Sequence, residues 1–419
     1  MSSSPFEETG KGISTASNGG VSVMRASCSI VMTAVGIGIL ALPRATAESG
    51  FVGGCITLCV AGLASFIAGL LLWKALFLNP TGVGTTAMPT FEEMGSVAFG
   101  RWGSVYFGLI LHVVLTAICA VLLVLLASTT VALTKTWNIR LWIMVWALVC
   151  LPLSWIRKMK SVGIVASIGV LSVCVLVAVV IIACIQQLIE SGPAKDYSVM
   201  SNDPLDLLSN FATFIFSFGF SATTPTITFS MKEPKRYPVS LAIAAIFCVL
   251  VYAVVMLLGY GAYGNSLLQT DTIVQAISPP NERLSPSGWV INLVVLVVVA
   301  SHFLVLFTPT ALAVDDLLSR ARCIKGRSRI WSLAARSGVV ILQALIGIAI
   351  PSVDKLVNLI GALCVIQLCF IIPIACYVKL KRMAGIPIGK LEVLWYILLL
   401  LLALLAMGIG IYGAIVALL

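Results

Sequence analysis

The chain has 419 residues, 60% of them hydrophobic and only 10% charged, with a mean hydropathy of +1.10. No water-soluble domain hides that much apolar surface, so the composition specifies an all-α polytopic membrane protein with the lipid bilayer as its surroundings. The net charge of +10 fits the basic cytoplasmic loops of such a protein, and no nucleic-acid partner is expected.

Residues 1–21 are rich in Ser, Gly and Thr and hold no apolar run. They read as a disordered cytoplasmic tail and not as a signal peptide. A transmembrane helix needs about 20 apolar residues. Eleven segments qualify: 22–46, 51–78, 102–130, 139–155, 160–188, 206–230, 237–263, 288–317, 330–350, 354–379 and 392–417.

The first span is interrupted by Gly36-Ile37-Gly38 and by Pro43. Glycines in lipid weaken a helix and leave main-chain groups without partners, a state that persists only where those groups line a cavity or bind something. The half-helix resuming near Ile39 aims its N–H groups at the break, which suits a carboxylate. The same glycines also suit close helix packing, and the first span alone leaves both readings open. Arg44 and Glu48, spaced i,i+4, form either an ordinary ion pair or an outer gate.

Further along, the histidines His112 and His302 fall within the third and eighth spans. Ionisable groups inside a membrane are functional suspects, and an imidazole with a reference pKa of about 6.5 suits proton coupling. A neutral histidine hydrogen-bonded between helices is the plainer reading.

A second interruption lies at 211–226, where Gly219 and Pro225 bracket Ser221, Thr223 and Thr224. It opens the sixth span as the Gly36 break opens the first. Interrupted helices five spans apart point to an inverted-repeat transporter. The repeats would cover 22–188 and 206–379, with an eleventh helix at 392–417.

Basic residues set the orientation. With the N-terminus cytoplasmic, Arg157, Lys158, Lys160, Lys232, Lys235, Arg236 and the clusters at 320–329 and 379–390 all lie inside. About 20 basic residues then fall inside and about 6 outside, a strong bias.

A zwitterionic amino acid needs donors for its carboxylate and acceptors for its ammonium. The N–H groups after Gly36 supply the former, and unpaired carbonyls near Phe216 and Ser217 the latter. The expected substrate site therefore comprises Thr33, Gly36, Ile37, Gly38 and Ile39 with Phe216, Ser217, Gly219, Phe220, Ser221 and Thr223. Phe220 reads equally well as an ordinary core contact, and the hydroxyls of Ser221 and Thr223 as caps on broken backbone.

Three runs carry a family resemblance. Gly36-Ile37-Gly38-Ile39-Leu40-Ala41-Leu42-Pro43 with Gly50 is one. Thr90-Phe91-Glu92-Glu93-Met94-Gly95 with Ala98-Phe99-Gly100 is the second. The third is Phe218-Gly219, Pro225, Met231-Lys232-Glu233-Pro234, Tyr252, Gly259-Tyr260 and Gly264. In order and spacing these resemble the amino acid/auxin permease family. The resemblance implies a LeuT-like fold with helices 1 and 6 unwound around a central amino acid. It also implies secondary active transport by alternating access, with no enzymatic activity, no cofactor and no bound metal beyond a coupling ion, H+ or Na+. Ser301 is similar in position to a helix-8 hydroxyl that binds sodium in sodium-coupled relatives, so Ser301, His112 and His302 are the ion-coupling candidates.

Three residues depart from the pattern: Phe220 replaces a common histidine, Arg44 a common aromatic, and Met32 an asparagine of sodium-coupled members. The last favours protons over sodium. A sodium symporter and a non-transporting amino acid sensor are the rival readings. The expected protein is a monomer in the plasma membrane or a vacuolar or endosomal membrane.

Overall fold

The computed structural model describes residues 20–36, 38–78, 87–155, 159–201, 204–279, 284–320 and 328–418. Most of the expected N-terminal tail, together with Ile37, Arg157, Lys158, Arg322, Lys325 and Arg327, lies outside them. The described residues are helical apart from connections and one isolated parallel bridge between Val21 and Met231. Among the described residues, eight helices are long and apolar enough to cross a membrane, or nine if the first two count as one span.

Helix α1 (Val23–Ala34) starts on Ser22, whose hydroxyl accepts from the Arg25 N–H, and α2 (Gly38–Ser49) follows at 56° to it. Helix α3 (Phe51–Leu76) is apolar on every face. Its small residues face the bundle: Gly62 adjoins Val249 and the Phe218 ring, and Gly69 adjoins Leu241 and the Phe220 ring. Stripes of this kind let helices approach closely where no hydrophobic effect drives them together.

Helix α4 (Phe91–Thr134) differs from the expected span at 102–130. At Gly100 the backbone takes φ 67°, ψ −156°, a region only glycine enters freely. The chain reverses there, and the first turns of α4 fold back along the rest. A Cβ on Gly95 would stand 2.5 Å from the Gly103 carbonyl oxygen. Glu92, Glu93 and Arg101 had interrupted the apolar run and hidden this segment from a hydropathy reading.

Next come α5 (Ile139–Ser154), α6 (Met159–Ser191), α7 (Pro204–Ser217), a 3-10 turn over Phe220–Thr223, α8 (Thr224–Ser230) and α9 (Tyr237–Tyr263). The connection to α11 (Pro286–Arg320) contains the short helix α10 (Ile273–Ile277). Helix α12 (Ser328–Ala349) precedes α13 (Val353–Ile360). Two π-helical stretches, Gly361–Val365 and Gln367–Ile371, lead from α13 into α14 (Ile372–Met383), and α15 (Lys390–Leu418) closes the chain. The tenth expected span is thus widened in its middle, where Gly361 abuts the Ala212 carbonyl of α7.

Helix α11 packs along α4 and α6, while α1 and α2 pack on α9. One buried cation ties the bundle's other half. Arg336 of α12, 2% exposed, donates to Asp315 of α11 at 2.6 Å and to the Ser154 carbonyl of α5 at 3.0 Å. Asp315 stands near the end of the eighth span, next to a basic loop. Its partner is instead a buried guanidinium, whose isolation in this setting would be costly.

Candidate substrate site at two helix interruptions

The two interruptions meet. The first residue of α2, Gly38, lies against the last residue of α7, Ser217. A Cβ at Gly38 would stand 2.5 Å from Ser217 Oγ and 2.7 Å from its Cα. No side chain fits there, so glycine is required by close approach and not by a turn. One turn before the break, Thr33 Oγ1 donates to the Ser29 carbonyl at 3.0 Å. Thr223 Oγ1 lies 3.4 Å from Thr33 Oγ1 and 3.1 Å from the Phe220 carbonyl. A hydroxyl from each interruption therefore shares one spot.

The far ends of the same helices are laced together as well. The Val21 N–H donates to the Ser230 carbonyl, the Lys232 N–H to the Val21 carbonyl, and Ser240 Oγ to the Val23 carbonyl.

The main-chain polarity at the breaks is partly committed. The Gly36 N–H donates to the Ala34 carbonyl at 2.8 Å, while the opening turn of α2 keeps N–H groups that have no intrahelical acceptor. The carbonyls expected to be unpaired are not. Phe216 accepts from the Gly219 N–H at 3.1 Å, and Ser217 accepts from the buried Tyr252 hydroxyl of α9 at 2.6 Å. Each retains a second lone pair.

Of the two readings of Phe220, the packing matches the core contact: its ring is buried against Gly69 of α3, and Phe218 packs likewise on Gly62. Ser221 is buried beside the Cys369 thiol of the second π-helical stretch.

His302 of α11 reaches this place. A Cβ on Gly36 would sit 3.6 Å from its Nε2. Its Nδ1 lies 3.1 Å from the Val298 carbonyl, and the ring also faces the Met32 carbonyl of α1. Ser301 Oγ donates to the same Val298 carbonyl at 2.7 Å, which leaves the hydroxyl's lone pairs uncommitted.

The sequence profile described as transmembrane amino acid transporter protein matches residues 19–416. The chain belongs to that family. Among similar members is the amino acid transporter AVT1C of Arabidopsis thaliana, 25% identical over 393 residues, covering 90% of this chain and 66% of the relative. Vacuolar amino acid transporter 3 of Schizosaccharomyces pombe is 25% identical over 353 residues, covering 81% of this chain and 50% of the relative. The chain thus spans between half and about two thirds of these relatives' lengths. A solved structure is similar in fold across most of both chains: Mhp1, a nucleobase-cation-symport-1 family transporter, in a closed conformation with bromovinylhydantoin bound. The TM-score is 0.55 at 14% identity, covering 95% of this chain and 92% of that one. The fold of this family member is LeuT-like.

Two polar clusters of this transporter-family chain lie away from the breaks. Arg44 on α2 does more than pair with Glu48. Its Nε is 3.0 Å from Glu48 Oε1 and 3.1 Å from Asp354 Oδ2 of α13. Its Nη1 donates to the Leu268 and Thr270 carbonyls at 3.1 and 2.6 Å. Asp271 continues the lacing by accepting from Ser352 Oγ and the Val353 N–H, both at 3.1 Å. Sequence reasoning missed Asp354 and Asp271. The Ser352 cap with Asp354 in the first turn was the available signal, because it marks a helix start with an acid beside it. His112 belongs to the other cluster, 3.8 Å from Glu92 Oε1 and 3.5 Å from Thr310 Oγ1, and does not join His302.

Proposed function

We propose that this protein is a secondary active amino acid transporter that works by alternating access. In this reading the eleven spans are α1 with α2, α3, α4, α5, α6, α7 with α8, α9, α11, α12, α13 through α14, and α15. The first and sixth are the broken ones, and the two five-helix repeats cover 22–188 and 206–379. The observation that carries the reading is the contact between the interruptions, with Gly38 against Ser217, Thr33 beside Thr223, and His302 against Gly36. The amino acid's carboxylate takes the N–H groups opening α2, and its ammonium takes the second lone pairs of the Phe216 and Ser217 carbonyls. Gly36, Ile37, Gly38, Ile39, Gly219, Ser221 and Thr223 complete the surround. Arg44, Glu48 and Asp354 form the outer gate, closed in this conformation.

For coupling, the proton is the better fit. A neutral imidazole brings one N–H, whereas His302 faces two carbonyls, so a proton arriving on the ring supplies the second donor. The named relatives carry amino acids by their printed names, and one is vacuolar, which supports an amino acid substrate and an internal membrane. A panel of labelled amino acids taken up into proteoliposomes tests this reading. An inward pH gradient should accelerate uptake of at least one without sodium. Uptake indifferent to pH and abolished by sodium removal moves the coupling to a sodium ion at Ser301. Binding without exchange supports a sensor.

A further inference from the structure

The fold-back of α4 brings two titratable groups together away from the helix interruptions. Gly100 reverses the chain, and the close approach of Gly95 to Gly103 seats the first turns of α4 against its own later turns. Thr90 caps this segment by accepting from the Glu93 N–H at 3.1 Å. Glu92 then lies over Gly108, where a Cβ would stand 3.1 Å from both its Cγ and its Oε1. One turn on, His112 Nε2 is 3.8 Å from Glu92 Oε1, and on the opposite side of the ring Nδ1 is 3.5 Å from Thr310 Oγ1 of α11.

An acid in a first turn is favoured by the helix N-terminus alone, and Glu93 already meets that preference. Glu92 differs because its side chain runs toward the imidazole over Gly108, where a Cβ would crowd it. Among the described residues, Glu92 is the carboxylate within 4 Å of His112. Thr310 on the facing helix is neutral, and Asp315, farther along α11, is committed to Arg336.

We propose that Glu92 and His112 form a second proton-binding site, separate from His302, with Glu92 positioned by the α4 fold-back and Thr310 holding the ring's other nitrogen. With Nδ1–H directed at Thr310, the neutral ring presents the Nε2 lone pair toward Glu92. A proton taken from water binds Nε2, and the resulting N–H closes on the carboxylate as an ion pair. The pair's part in transport rests on the proton-coupled reading above; its capacity to hold a proton does not.

The chain has only two histidines, which makes the test direct. Nitrogen-15 labelled histidine in the full-length protein gives two titration curves, assigned with His112→Gln and His302→Gln. A carboxylate beside an imidazolium favours the charged form. Glu92→Gln should therefore lower the His112 midpoint by about one pH unit and leave His302 unmoved. Gly108→Ala keeps the charge but displaces the Glu92 side chain, and should move the midpoint in the same direction by less. An unchanged His112 curve in both variants overturns the proposal. In the same variants the pH profile of amino acid uptake should follow the His112 midpoint. If the titration shifts while uptake ignores pH, the pair stands and the proton-coupled reading of transport fails.

Discussion

Gly38 shows what a single position contributes here. A methyl group at this place meets Ser217 Cα at 2.7 Å, and backbone cannot swing aside as a side-chain tip can. Gly38→Ala should cost about 1–3 kcal/mol by overpacking and should reduce uptake severely. Gly36→Ala meets only the His302 ring at 3.6 Å, an ordinary contact, and should unfold at the wild-type temperature. Thermal unfolding of the two variants side by side checks the contrast, and equal midpoints would deny that the interruptions touch. These glycines were legible in the sequence because each removes a side chain from an otherwise apolar run. Phe220 was not. An aromatic in a span reads the same whether it faces a ligand or fills a notch such as the one Gly69 leaves on α3.

Elements join through partners far apart in the chain. Arg44 sits on α2, its acceptors Leu268 and Thr270 precede α10, and Asp354 opens α13. The i,i+4 pairing with Glu48 was readable from spacing alone, whereas Asp354 stands 310 residues away and no local pattern links the two. Both partners are mostly shielded, with side-chain exposures of 19% and 16%, so losing the carboxylate leaves a poorly solvated guanidinium. Asp354→Asn should loosen the Thr270–Ile277 segment, giving about tenfold faster amide exchange there with little change in α9. Exchange unaltered in that segment would mean that Arg44 is held by Glu48 and the carbonyls alone. The fold-back in α4 escaped notice for a related reason. Charges at Glu92, Glu93 and Arg101 end the apolar run, and hydropathy has no term for a helix that reverses at Gly100 and lies along itself.

At the scale of the whole molecule, most segments read from apolar length reappear as helices, because a bilayer fixes the length a span must have, whereas α4 starts at Phe91 and the first and sixth segments are each divided. The widened stretch from Gly361 to Ile371 left no such mark, since a π-helix has the same hydropathy as an α-helix and differs only in its hydrogen-bond register. In the proposed mechanism one guest molecule sits between two halves of the chain, and the halves rock about it. Its most direct test is uptake of labelled amino acids into proteoliposomes by the wild-type chain and by Gly36→Leu and Gly219→Leu, each first shown to be folded by thermal unfolding. The expected result is uptake by the wild type under an inward pH gradient and its loss in both variants. Undiminished uptake of every amino acid by both would contradict it.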